Sequence, residues 1–153
     1  MAAARSEQIM AAIETALTGL ATTGANVQRG QVYPHDAAQL PALSIMTGPD
    51  NMVGEYHTGL LDWELTAYVH AVAQIEATYT TAAPTIETTL ATIRKEVHAA
   101  LMSDYTLGLA FVIDIAPGPV SQPNLDGDGN IPTGSVLLSF TIHYRSSRTD
   151  ISA

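Results

Sequence analysis

The sequence predicts an α+β fold: a single, mostly antiparallel (mixed) sheet of about five strands with two helices packed on one face. Three patterns carry that expectation. Two segments repeat apolar residues at steps of three and four, the stripe a helix needs to bury one side. Other segments alternate apolar and polar residues, as strands with one covered face do. Gly, Pro and polar residues punctuate the boundaries, and no internal repeat or linker divides the 153 residues, so one domain over 1–153 is expected. The order is helix, three strands, helix, two strands, with any parallel crossover through the second helix right-handed.

The first helix is expected from Arg5 to Leu20, where Ile9, Met10, Ile13, Leu17 and Leu20 share a face. Ser6 reads as its N-cap, Glu7 suits the positive end of the helix dipole, and Gly19 and Gly24 bracket its end. "NVQRGQVYP" reads as a short strand limited by Pro34. "LPALSIMTGPD" gives a second strand around Leu43–Met46, begun after Pro41 and stopped by Gly48-Pro49, with a polar hairpin connection from Asn51 to Gly59. In "LLDWELTAYVHAVA", Leu61, Trp63, Leu65, Ala67 and Val69 alternate with Asp62, Glu64, Thr66, Tyr68 and His70, which makes Trp63 a core anchor. The second helix is expected over Thr81–Asp104, with Ile86, Leu90, Ile93, Val97 and Leu101 in line and Pro84 in the first turn, where its missing N–H costs nothing. "LGLAFVIDIA" supplies a fourth strand. "SVLLSFTIHYRSS" supplies a fifth, with Val136, Leu138, Phe140, Ile142 and Tyr144 on one face. The tail "RTDISA" is polar and reads as loose.

Composition removes several classes of function. Fifteen acidic against six basic residues give a net charge of −9, and the basic residues form no run longer than two. Sequence-independent affinity for nucleic acid comes from Lys and Arg neutralising phosphates, so DNA binding is not expected. Without cysteine there is no disulfide, thiolate ligand or Cys nucleophile. No apolar run reaches the ~18 residues of a membrane span and the first residues lack a signal-peptide pattern, so a soluble protein made in the cytoplasm is expected.

Site chemistry is sparse. Asp126, Asp128 and Asn130 match the opening D-x-D-x-N of a calcium loop, but Ile131 stands where that loop needs Gly and Leu137 where it needs Glu. Asp and Gly also serve ordinary turns. The histidines His35, His57, His70, His98 and His143 form no H-x-x-x-H pair; His70 and His143 lie on polar strand faces and can meet if those strands are neighbours. Asp62 and Glu64 lie two apart on one strand face, a placement open to the paired acids of a glycosidase, although a solvated face is the commoner reason. No nucleophile elbow, P-loop or dinucleotide fingerprint is present. The expectation is therefore no enzyme, no metal and no cofactor. Residues 117–134, "PGPVSQPNLDGDGNIPTG", exceed the ~12–15 residues that an irregular loop usually has unless it is functional, and 47–59 reads similarly.

The succession of segments resembles a known family. An N-terminal amphipathic helix leads to a strand ending "VYP" and then to "LPALSIMTG". A "WELTAYVHA" strand follows, then the helix "IRKEVHAALMSD" with "YTLGLAF" after it, and the last strand ends "HYRSS". The "LPAL" start, Asp104-x-Thr106-Leu107-Gly108 and the closing aromatic–Arg strand carry most weight. In that order they resemble the tail terminator proteins of long-tailed bacteriophages, of the lambda minor tail protein U type. The resemblance implies a ring, typically of six subunits, at the tail–neck junction of a virion assembled in the host cytoplasm. Such a ring caps the tail tube, ends its polymerisation and offers the surface to which the DNA-filled head joins. Its partners would be further copies of the chain, the tail tube protein and head–tail connector proteins, with DNA passing through unbound. Residues 117–134 then become an assembly loop facing the tube or lumen. Interface contacts are expected from Arg29, Tyr33, Asp50, Glu55, Tyr56, Asn124, Asp126, Asp128, Asn130 and Arg145. A head–tail connector or stopper shares much of this profile; a small calcium-binding module or enzyme is the remaining alternative.

Overall fold

A computed structural model of the protein describes residues 2–30, 40–56, 58–74, 79–126 and 133–153, with backbone alone over 79–84. The elements are α1 (Arg5–Leu17), β1 (Val27–Arg29), β2 (Ala42–Tyr56), β3 (Leu60–Gln74), α2 (Tyr79–Met102), β4 (Val112–Val120), β5 (Asn124–Asp126) and β6 (Thr133–Ser147). The strands form one sheet in the order β1-β2-β3-β6-β4, and the three-residue β5 also pairs with β6. β1 and β2 are parallel and every other pair is antiparallel. This is the predicted α+β class, with β5 as an added strand.

Both helices cover the same face of the sheet. Ile9, Met10, Ile13 and Leu17 of α1 and Ile86, Leu90, Ile93, Val97 and Leu101 of α2 are buried. They join one core cluster with Leu65, Ala67, Val69, Ala71 and Ala73 of β3 and with Val136, Leu138, Phe140, Ile142 and Tyr144 of β6. The alternate residues of β3 are only partly buried, so the opposite face has no helix over it among the described residues. The period-2 pattern that marks β3 and β6 thus reports which side the helices occupy.

Four boundaries differ from the sequence expectation. β2 does not stop at Gly48-Pro49: a register shift between Thr47 and Asp50 absorbs the pair, and the strand runs on to Tyr56. A bulge in an edge strand is where a sheet tolerates proline. Gly48 is needed there for contact, because a Cβ would sit 2.6 Å from the Tyr68 ring. Of the expected 51–59 connection, 51–56 is therefore the arm of a long β2–β3 hairpin. Residues 117–134 are likewise not one loop: 117–120 belong to β4, 124–126 to β5 and 133–134 to β6, while 127–132 lie outside the described residues. β4 starts at Val112, later than expected, because 104–111 forms turns. The carboxylate of Asp104 accepts from the backbone N–H and the hydroxyl of Thr106 at 3.0 and 2.8 Å, and Leu107 and Gly108 then take positive φ angles of 53° and 71°. That gives the Asp-x-Thr-Leu-Gly run a local physical reason.

At the start of α1 the N-cap is Ala4, without a side-chain cap, and Ser6 lies inside the helix. The helix start is held by the tail: the Arg5 N–H donates to the Ile151 carbonyl at 2.9 Å, and the Ser147 N–H donates to the Ala153 carbonyl at 2.6 Å. The tail is thus tied down. α2 begins at Tyr79, which places Pro84 in its second turn instead of its first.

Candidate functional site

The richest polar constellation among the described residues lies at the end of the sheet near the β2–β3 hairpin. On the helix-free face, β3 and β6 set Asp62 opposite Arg145 and Glu64 opposite His143. Arg145 donates from Nε and Nη2 to the two Asp62 carboxylate oxygens at 2.7 and 3.0 Å, a fork that matches carboxylate geometry. This hydrogen bonding holds the Asp62 carboxyl below its usual range. The Arg145 guanidinium also lies 4.9 Å over the Tyr56 ring. His143 Nε2 stands 3.4 Å from Glu64 Oε1, and Asp114 of β4 flanks His143 on the other side.

On the helix-covered face of the same rows, Trp63 is partly buried against the core and stacks on Tyr144 with ring centroids 6.4 Å apart. Its indole N–H donates to Ser146 Oγ at 2.9 Å, satisfying the one polar atom of the ring. The Tyr144 hydroxyl donates to Asp50 Oδ2 at 2.6 Å. The bulge at Gly48-Pro49 makes this possible: it sets Asp50 opposite Leu65, an inward-facing position. Burial raises the Asp50 carboxyl, partly offset by the Tyr144 hydrogen bond, and burial together with Asp50 keeps Tyr144 a protonated donor.

A stability prediction follows from the direction of the Asp50 shift. A carboxyl with a raised folded-state value binds its proton more tightly folded than unfolded, so folding stability falls as pH rises through the window just above 3.8. Asp50→Asn keeps an acceptor for Tyr144 and cannot ionise. Its thermal midpoint should match or exceed that of the parent at pH 7, with a flatter profile between pH 4 and 6 in a pH series of thermal melts.

The expected interface residues are not all in one place. Asp50, Glu55, Tyr56 and Arg145 come together at this hairpin end, where Glu55 forms an ion pair with Arg148. Arg29 instead ties β1 to α1 through two hydrogen bonds to Glu7, at 2.6 and 3.0 Å. Asn124 and Asp126 pair with Ser135 and Thr133, about 33–40 Å along β6 from Arg145. Tyr33, Asp128 and Asn130 lie outside the described residues.

The other candidate chemistry disperses. Asp62 and Glu64 share a face as expected, but each is engaged by a basic partner on β6. His70 and His143 lie on neighbouring strands, yet His70 faces Leu137 and His143 faces Glu64, which sets them about 20 Å apart. Among the described residues, no group of three or more His, Asp or Glu is placed to hold a metal ion, and Asp128 and Asn130 fall outside them. Among the described residues, no helix is long and apolar enough to cross a membrane.

Sequence reading missed a different set of side chains. Met46, Met52, Val53 and Tyr56 on β2 and Ile113 and Val120 on β4 are large, apolar and exposed. Of these only Tyr56 was expected as a contact. The apolar pair inside "DNMVGEY" was the available signal, hidden by the glycine and charges that read as a turn.

No protein-family model and no curated protein matches the chain. Among solved structures, a chain of "Virion of native gene transfer agent (GTA) particle" is similar in fold, with a TM-score of 0.53 and 13% identity. The match covers 90% of this chain and 95% of that one.

Proposed function

We propose that the chain is a structural component of a phage-type particle and acts as a tail terminator: copies close into a ring on the end of the tail tube, end its growth and present the surface that the head joins. One observation carries this reading. The fold runs end to end alongside a chain from a gene transfer agent virion, with 90% and 95% coverage, so the likeness is to a whole particle subunit and not to a shared motif. The ordered resemblance to tail terminators supplies the position within the particle. The proposed work is done by shape, without bond chemistry, and the engaged Asp62 and Glu64 agree with a structural use of those carboxylates. A net charge of −9 suits a lumen through which DNA slides without sticking.

The test is genetic and visual. In a strain producing the particle, removal of the chain should give tails of abnormal length and heads without tails, and a labelled copy should lie at the tube end in electron micrographs. A label on the portal side would assign a connector. Normal, head-joined tails in its absence would refute the terminator role.

A further inference from the structure

Six of the eight large exposed hydrophobics among the described residues lie on two strands: Met46, Met52, Val53 and Tyr56 on β2, and Ile113 and Val120 on β4. These strands bound opposite sides of the sheet. β4 is its last strand, and β1 covers β2 only at Leu43–Ile45. From Met46 to Tyr56, therefore, β2 presents an outer edge that no described strand pairs with. Natural edges are usually blunted by proline, charge or bulges. The far half of β4 carries Pro117 and Pro119, and β2 carries Pro49; 50–56 and 112–116 are free of proline, each with one register shift toward its inner neighbour, at 52–54 and 112–114.

Those two stretches are at the same height. Residues 50–56 pair with Leu60–Leu65 of β3, Leu60–Leu65 pair with Ile142–Ser147 of β6, and Val112–Ile115 pair with Ile142–Tyr144. Their directions also fit. Three successive antiparallel pairings, β2 to β3 to β6 to β4, make β4 run opposite to β2. Rotation about an axis along the strands preserves chain direction, so the β2 edge of one copy meets the β4 edge of the next antiparallel, the slightly more stable pairing. Two unlike patches on opposite sides of a subunit are what a head-to-tail ring requires.

The side chains beside the two edges are mixed in character. Between Met46 and Tyr56 the charged residues are Asp50 and Glu55, which Tyr144 and Arg148 of the same chain engage, and the 112–116 stretch carries Asp114. Beside Ile113 a recess of about 330 Å³ is lined by Arg5, Leu60, Ala110, Phe111, Ile113 and Arg145. The Arg5 guanidinium lies 4.6 Å over the Phe111 ring and donates to the Arg145 carbonyl. No carboxylate stands within ion-pair distance of it among the described residues.

We infer that the β2 edge at 50–56 of one copy pairs with the β4 edge at 112–116 of a second copy, seating Met52 and Val53 over Phe111 and Ile113. This deepens the ring reading and rests on it: the sheet of one subunit continues into the next.

The chain has no cysteine, so introduced thiols report cleanly. Val53 and Ile113 are 52% and 46% exposed, so changing them should leave the fold intact by circular dichroism. With a short bismaleimide, a chain bearing both Val53→Cys and Ile113→Cys should give a ladder of covalent multimers. Equal mixtures of the two single variants should give dimers, and each single variant alone should stay monomeric on denaturing gels. Ile113→Asp should weaken self-association by about tenfold or more in sedimentation, the loss seen when a central contact is spoiled. A dimer from Val53→Cys alone would mean a two-fold contact and overturn the inference. A multimer by mass with no ladder and no effect of Ile113→Asp would overturn the edge pairing and leave the ring standing. No multimer at any concentration and no ladder would overturn both.

Discussion

Phe140→Ala is expected to destabilise the protein by about 3–5 kcal/mol, the range for removing a buried aromatic ring. Phe140 is 3% exposed on β6, the strand that pairs with β3, β4 and β5. Its cross-strand neighbours are Ala67 and Pro117, which have no long side chain to swing into the space the ring would vacate. The cost therefore includes the cavity as well as the lost transfer of apolar surface. Against a total stability of roughly 5–15 kcal/mol for a domain this size, that loss is a large share. Urea unfolding should report a lower midpoint with an unchanged slope, and the thermal midpoint should fall by about 10 °C or more. Phe140→Leu, which refills most of the volume, should cost well under half as much. A loss below about 1 kcal/mol for the alanine variant would mean that β6 does not hold the centre of the core.

The buried half of the fold was legible because burial imposes period. β3, β6, α1 and α2 each pack one side on the core, and their inward residues recur at two or at three and four. The distal part of β2 was not legible for the same reason. From Met46 to Tyr56 it is largely exposed, and two register shifts, at 47–50 and 52–54, turn the alternation over. A strand held by backbone pairing to β3 leaves no hydrophobic period to read. The same holds for β5, three residues beside β6 in a stretch whose proline and glycine content reads as loop.

The candidate site shows the converse. Polar contact residues were expected near the hairpin, yet their partners depend on strand order, which no local pattern encodes. Asp62 meets Arg145 across 83 positions of sequence and Asp50 meets Tyr144 across 94. Arg29 looked equally exposed in sequence, and its guanidinium is spent on Glu7 of α1. The exposed apolar edge residues became visible only once β2 and β4 were known to bound the sheet.

Gly134→Ala should be destabilising by about 1–3 kcal/mol, and the sign is what makes it informative. In the interior of a strand, replacing Gly with Ala ordinarily stabilises by roughly 0.5–1 kcal/mol, because the unfolded chain loses freedom. Gly134 lies in β6, opposite Ala73 on one side and Leu125 on the other. A Cβ at this position would stand 2.2 Å from Cγ2 of Ile86, 3.0 Å from Cδ2 of Leu125 and 3.4 Å from Cδ1 of Leu90. Ile86 and Leu90 are 1% and 2% exposed, on the buried side of α2, so the added methyl must displace packed core side chains. The residue that reads as loop composition is thus the point where α2 rests on the sheet. Gly134→Val should cost more than the alanine change, since its branched methyls extend the same clash. Ile86→Ala alone should cost about 2–5 kcal/mol through the cavity it leaves. Combined with Gly134→Ala, it should cost less than the sum of the two by about 0.5–3 kcal/mol, because each change relieves the other. Chemical denaturation of the four proteins measures that coupling. Simple additivity, or a stabilising Gly134→Ala, would place Ile86 and Leu90 away from Gly134 and overturn this contact between α2 and the sheet.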